Sequence, residues 1–223
     1  MNKMIYSWSG GKDSTMALYS RWKMAEEKVL LTTITREYDR ISMHGVRRDL
    51  LECQAQCLGV RLQAAFIPAQ CTNEDCERIV GEKLSLLGEE GMNQVVYGDL
   101  FLEDVRKYRE DTLRRVNMTP VFPIWGRNTA AMAREFIDLG FKAIITCIDT
   151  QALDGDLVGH AFNHDFLSCL PAKIDPCGEN GEFHTFVYDG PIFKQKVGFI
   201  IGEKVLRDSR FAYCDLIKNH ADA

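Results

Sequence analysis

The chain has 223 residues, enough for one large domain or for one domain with a small appendage. A hydrophobic content of 46% supplies a core, and a formal charge of −5 argues against non-specific nucleic-acid binding, which needs a basic surface. No apolar run approaches the ~18 residues of a membrane span, and the N-terminus enters a strand with no room for a signal peptide, so a cytoplasmic protein is expected.

Met4 to Trp8 is a short apolar run that reads as a strand. Ser9-Gly10-Gly11-Lys12-Asp13-Ser14 follows, and a helical pattern through Met16, Leu18, Tyr19 and Trp22 predicts a helix over 13–26. A strand, a glycine-rich turn and a helix N-terminus together make an anion site. Glycines let the backbone approach a phosphate, N–H groups converge on it, and the helix dipole adds to the attraction. Lys12 supplies a positive charge, and Ser9 and Ser14 supply hydroxyl donors. The loop is not a Walker A motif, which requires G-x-x-x-x-G-K-[ST].

Residues 29–34 (VLLTTI) form an apolar, β-branched run, hence a buried parallel strand. Its C-terminal end belongs beside a nucleotide in an open α/β sheet, which makes Thr33 and Thr35 candidate neighbours of adenine or ribose. His44 stands just before a helix predicted over 46–58, which Gly59 closes as a C′ residue. It is a candidate site residue beside the plainer reading as a cap or surface histidine. Residues 61–67 read as a third strand. A helix follows from 72 or 73 to 87, with Asn73 as N-cap candidate and acidic residues in its first turn.

Residues 94–97 are a fourth strand that ends in Gly98-Asp99. A carboxylate beside a glycine at a strand's C-terminal end is where an α/β site holds magnesium or a ribose. The helix predicted over 103–117 sets Arg106 and Glu110 four apart on one face, as a surface ion pair would be. Residues 119–122 make a fifth strand before Pro123-Ile124-Trp125-Gly126. This βαβαβαβαβ alternation is the signature of a doubly wound parallel sheet. The junction divides the chain into 1–125 and a smaller 126–223.

Beyond it, a helix is predicted over 129–139 and a strand over 142–148. His160 and His164 lie four apart without the glutamate of HExxH and read as packing or surface residues. Glu179, Glu182 and His184 then crowd into six residues beside Gly178 and Gly181, and Glu182 and His184 alternate with Phe183 as on one strand face. Two carboxylates and an imidazole there can orient a nucleophile, take its proton or bind a polar substrate. The plainer reading is a glycine-rich hairpin with polar tips. The tail over 197–217 completes a small α+β domain. The eight cysteines contain no CxxC pair and are read as free thiols, with no metal ligand set assigned.

SGGKDS, Gly98-Asp99, the Glu110 helix, Pro123 to Gly126, IDTQALD at 148–154 and GENGEFHTFVYDGPIF at 178–193 occur in this order in the diphthine–ammonia ligase family of PP-loop (N-type) ATP pyrophosphatases. The chain resembles that family over essentially its whole length. The resemblance implies a HUP-type nucleotide domain, a smaller C-terminal domain and an active site between them, with ATP and Mg2+ as cofactors. It implies cleavage of ATP between the α and β phosphates, AMP passing to a small-molecule or protein-borne carboxylate, and displacement of AMP by ammonia or an amine. Carried onto this sequence, Ser9, Gly10, Gly11, Lys12, Asp13, Ser14, Thr33 and Gly98 hold the nucleotide, and Lys12, Asp99, Glu182 and His184 serve the chemistry. His44, Glu110, Glu179, Asn180, Glu182 and His184 meet the acceptor.

The family signature is E-G-G-E-[FY]-E-T; here Asn180 replaces a glycine and His184 a glutamate. The ENGEFHT form resembles bacterial members, and a corrinoid-related acid joins diphthine among the acceptors so implied. A PP-loop RNA-modifying enzyme and a non-catalytic adenine-nucleotide sensor stay open as alternatives. A homodimer is compatible with this reading, and no membrane partner is expected.

Overall fold

The computed structural model describes residues 2–42 and 44–219 and builds two sheets. The first contains β1 (Lys3–Ser7), β2 (Glu27–Thr35), β3 (Arg40–Ile41), β4 (Arg61–Ile67), β5 (Gln94–Val96) and β6 (Thr119–Val121). β1 pairs in parallel with β2 and β5, β2 with β4, and β5 with β6. β3 is a short antiparallel return against the end of β2. Leaving β3 aside, the parallel strands taken in chain order stand 3-2-1-4-5, a doubly wound sheet whose order reverses beside β1.

Helices cover both faces: α1 (Lys12–Ser20), α2 (Arg48–Leu58), α3 (Asn73–Glu89) and α4 (Glu103–Arg114). The alternation of β1 sets this up. Ile5 faces Leu84 and Leu87 of α3 and Leu113 of α4, whereas Met4 and Tyr6 face Met16 and Leu18 of α1 and Leu50 and Leu51 of α2.

The second sheet is antiparallel. It contains β7 (Lys142–Asp149), β8 (Ala161–Phe162), β9 (Phe183–Asp189), β10 (Phe199–Arg207) and β11 (Phe211–Lys218), with α5 (Thr129–Asp138) and α6 (His164–Cys169) beside it. Ile144, Ile148, Phe183 and Phe186 join the same cluster as α1 and α2, so one core runs through both sheets. At the rim, Arg40 and Arg47 both reach Asp215 on β11, at 2.8 and 2.7 Å. Burial opposes the charge on Asp215, but its bonds to Arg47 and Arg40 outweigh burial and hold its carboxyl at about 2.

Several local expectations change. α1 stops at Ser20 because 21–24 turn rather than continue the helix. The N-cap of α3 is Thr72, whose hydroxyl accepts the Asp75 N–H at 3.1 Å, and not Asn73. Cys71 and Cys76 form a disulfide, which corrects the reading of all eight cysteines as free. The first turn of α3 folds Cys76 back past the cap and sets the two Cα atoms 6.0 Å apart, within disulfide reach. Among the described residues no helix is long and apolar enough to cross a membrane.

Candidate active site

The strand order reverses between β1 and β5, and a cavity of about 390 Å³ opens at their C-terminal ends. That is the place where an open α/β sheet binds ligands, and the volume suits a small molecule. Ser9, Lys12, Asp13 and Ser14 of the loop, Thr33, Gly98 and Asp99 of the first-sheet half, and His44, Glu179 and His184 all line the cavity. Val80 and Leu84 of α3, with Val95 and Tyr97, add an apolar wall.

The loop at 9–14 is shaped by short hydroxyl bonds. Ser9 Oγ accepts the Gly11 N–H at 3.2 Å and lies 3.1 Å from Ser14 Oγ, which itself donates to the Gly11 carbonyl at 3.0 Å. Gly10 adopts φ +76, and a Cβ there would come within 2.8 Å of Leu51 Cδ1, so no side chain fits. Gly98 has a packing reason of its own. A Cβ on it would meet the Asp13 carbonyl carbon at 2.7 Å and Ser14 N at 2.8 Å, so it lets β5 press against the start of α1.

The second sheet grips this loop. Thr185 Oγ1 accepts the Lys12 N–H at 3.0 Å, and the Val187 N–H donates to the Gly10 carbonyl at 2.9 Å. Gln54 on α2 donates to both Gly10 O, at 3.0 Å, and Val187 O, at 2.6 Å, while its own oxygen accepts the Trp8 indole N–H. The Lys12 ammonium is buried. It donates to Asp13 Oδ2 at 2.9 Å and to the Cys177 carbonyl, and it lies 5.1 Å from the Phe183 ring centre. Burial works against its charge, but the Asp13 carboxylate and the Cys177 group outweigh burial and raise its pKa.

Glu179 crosses between the two halves: its Oε1 accepts the Leu100 N–H at 2.7 Å. Burial is the main cause that lifts its carboxyl to about 7, against the lowering by that hydrogen bond. His44 and His184 stack with ring centres 4.4 Å apart, and His44 Nδ1 lies 3.4 Å from the Thr185 carbonyl. Burial, then Lys12, brings His184 down to about 4, and burial with His184 brings His44 well below its usual value. Both rings are therefore neutral at pH 7.

Six of the expected residues do not line the cavity: Gly10 and Gly11, whose backbone shapes the loop, and Thr35, Glu110, Asn180 and Glu182. Glu182 is buried and turned into its own loop: Oε1 accepts Asp175 N–H at 3.1 Å and the Asn180 side-chain amide at 3.0 Å, and Oε2 accepts Asn180 N–H at 3.0 Å. Asn180 spends its amide on that same carboxylate. Glu110 faces outward and accepts from Arg106 at 2.9 Å. Thr35 is likewise off the cavity, 3.1 Å from Ser42 Oγ.

Sequence reasoning passed over Arg109, Thr32 and Tyr97, which do line it. The helical period carried the signal for Arg109. Leu102 and Arg109 are seven apart, hence on one face of α4, and both line the cavity. Arg106, between them, instead sits over the Phe122 and Trp125 rings, 4.8 Å from the Trp125 ring centre.

The donor set suits Mg2+, which takes hard oxygen ligands, one or two of them carboxylates, and the rest from phosphate and water. Asp13 Oδ1 and Asp99 Oδ2 are buried oxygens with no hydrogen-bond partner among the described residues. Burial raises the pKa of both groups, against Lys12 for Asp13 and Arg109 for Asp99.

Two family models match the chain: diphthamide synthase N-terminal domain over residues 2–120 and diphthamide synthase C-terminal domain over residues 128–220. The diphthine–ammonia ligase of Mus musculus is 31% identical, over 90% of this chain and 84% of that protein. The one of Homo sapiens is 25% identical, over 85% and 79%. A solved structure from Methanocaldococcus jannaschii, described as a predicted subunit of tRNA methyltransferase, aligns with a TM-score of 0.44 and 15% identity, over 74% of this chain and 85% of that one.

Proposed function

The chain belongs to the diphthamide synthase family, and on that premise we propose that it is an ATP-dependent carbon–nitrogen ligase that activates an acceptor carboxylate as its adenylate and converts it to an amide with ammonia or an amine. The observation that carries this reading is the meeting, in one cavity, of a phosphate-type loop and a carboxyl lifted to about 7. We assign 1–125 to the nucleotide and 126–223 to the acceptor, supported by the partition of strands between the two sheets.

An oxygen of the acceptor carboxylate attacks the α-phosphorus, the bond to the bridging oxygen breaks, and pyrophosphate leaves. The 9–14 loop and the Lys12 ammonium hold that leaving group. Asp13 and Asp99 are the residues that would hold magnesium, which when bound supplies charge neutralisation at the phosphates. Ammonia nitrogen then attacks the acyl carbon, and AMP departs with its oxygen. The nitrogen sheds a proton, and the Glu179 carboxylate accepts it. The neutral His44–His184 pair offers ring nitrogens to the acceptor without adding charge. Glu182 and Asn180 act on the shape of the loop that carries Glu179.

The acceptor itself is the finer part of the proposal. His184 stands where the family signature has a glutamate, so this wall lacks one negative charge and favours a less cationic acceptor than diphthine, such as a corrinoid-related acid. Sulfur delivery to RNA is not favoured: burial pushes up the thiols of Cys177, the cysteine nearest Lys12, and of Cys147, which keeps both out of the thiolate form. ATP–pyrophosphate exchange, screened over carboxylic acids with diphthine-bearing protein and corrinoid acids included, tests the reading. Exchange dependent on one acid names the acceptor; exchange with none, alongside tight ATP binding, favours a nucleotide sensor instead.

A further inference from the structure

The mechanism above leaves one half-buried cationic side chain of the cavity, Arg109, without a role. Arg109 Nε and Asp99 Oδ2 lie 3.6 Å apart, too far for a hydrogen bond, and both atoms are buried with no hydrogen-bond partner among the described residues. Buried polar atoms in folded proteins are almost always paired, so an unmet donor on a side chain that lines a cavity points to a group that the cavity holds. The guanidinium is not loosely placed. It lies over the Tyr97 ring, 4.9 Å from its centre, and this contact fixes its plane.

Its neighbours define what that group is. On one side are Val95 and Tyr97, part of an apolar wall suited to a purine. On the other, Gly98 touches the backbone of Asp13 and Ser14, so the phosphate loop begins one residue from Asp99. Arg109 therefore stands where the base wall meets the pyrophosphate loop. In ATP the α-phosphate joins the nucleoside to the pyrophosphate, so a nucleotide laid along these two surfaces would bring it to that junction. A planar cation with parallel N–H donors matches phosphate oxygens, and Arg is the side chain that supplies it.

We propose that Arg109 binds the α-phosphate of ATP and keeps hold of the same phosphate in AMP after cleavage; this rests on the reading of the cavity as an ATP site. The α-phosphorus is where the acceptor attacks, so a guanidinium there meets the charge that grows on its non-bridging oxygens.

The test compares ligands that differ only in the phosphate. AMP and adenosine are titrated calorimetrically into the full chain and into its Arg109→Gln and Arg109→Lys variants. Arg109→Gln is expected to weaken AMP by about tenfold or more and adenosine by less than about twofold, with Arg109→Lys between wild type and Gln for AMP. Equal weakening of both ligands, or none, overturns the proposal while leaving the ATP site in place. Should the wild-type chain bind neither ATP nor AMP, the ATP reading falls and the proposal falls with it. If Arg109→Gln does not fold, the Lys variant decides alone, by whether its loss is confined to AMP.

Discussion

The loop at 9–14 and the loop at 175–185 face each other across one cavity, and their hydrogen bonds run in different directions. The first makes a few hydroxyl bonds of its own and is otherwise held from outside, by Gln54, Thr185, Val187 and the Cys177 carbonyl. The second is held from inside. Asp175 Oδ1 accepts from Cys177 and Glu179 N–H, and Glu182 accepts from Asp175 and Asn180. Glu179 is its outward carboxylate, joined to Leu100. Under the proposed function, the loop for a fixed ligand, the phosphate chain, is clamped by distant residues, whereas the loop for the acceptor keeps its own frame and presents Glu179 from it.

Substitutions in the two loops separate these roles. The largest effect is expected from Lys12→Met, which should lower AMP and pyrophosphate formation about 10²–10³-fold with the exchange-active acid present, while circular dichroism stays unchanged. A wild-type rate would remove this loop from the chemistry. Next comes Glu179→Gln, expected to slow amide formation about 10²-fold. Its carboxyl, lifted to about 7, is protonated below that pH and cannot accept a proton, so the wild-type rate should fall as pH drops through about 7. In the Gln variant that fall should vanish; a preserved fall would mean that another group takes the proton.

For Glu182 the expected loss is in stability. Glu182→Ala strips the acceptor from three loop donors and should cost roughly 3 kcal/mol in urea unfolding. The folded fraction should keep the pH profile of the wild type. Full stability with lost turnover would return Glu182 to the reacting groups. The smallest effect belongs to Glu110→Gln, an exposed helix pair worth about 0.5 kcal/mol or less, with ATP–pyrophosphate exchange unchanged.

The first sheet was largely legible because its strands and the 9–14 loop are written in local code. VLLTTI and QVVY are buried runs, Gly59 takes the left-handed φ that ends α2, and SGGKDS directly follows a strand. The acidic loop was legible as a cluster but not in its internal division of labour. Period-2 alternation placed Glu182 and His184 on one face, yet β9 begins only at Phe183, so Glu182 falls in the preceding turn and follows Asn180 and Asp175. Glu110 entered through the family resemblance, beside a plainer reading as a surface ion pair with Arg106, and the structure shows that pair. The neighbour seven residues after Leu102, not the i,i+4 pair, faces the cavity. The disulfide escaped because pairing of Cys71 with Cys76 depends on the turn geometry at the start of α3.

The clasp on the phosphate loop also governs when the protein acquires its site during synthesis. The Lys12 amide finds its acceptor in Thr185, 173 residues later, and Gly10 finds its donor in Val187. The first sheet is complete in sequence once β6 has left the ribosome, and N-terminal units fold first as chains emerge. Its phosphate loop is not, since residues 185–187 have still to be made. A nascent chain therefore carries a finished parallel sheet with an unfinished 9–14 loop, and the cavity gains its full frame only after most of the chain has emerged.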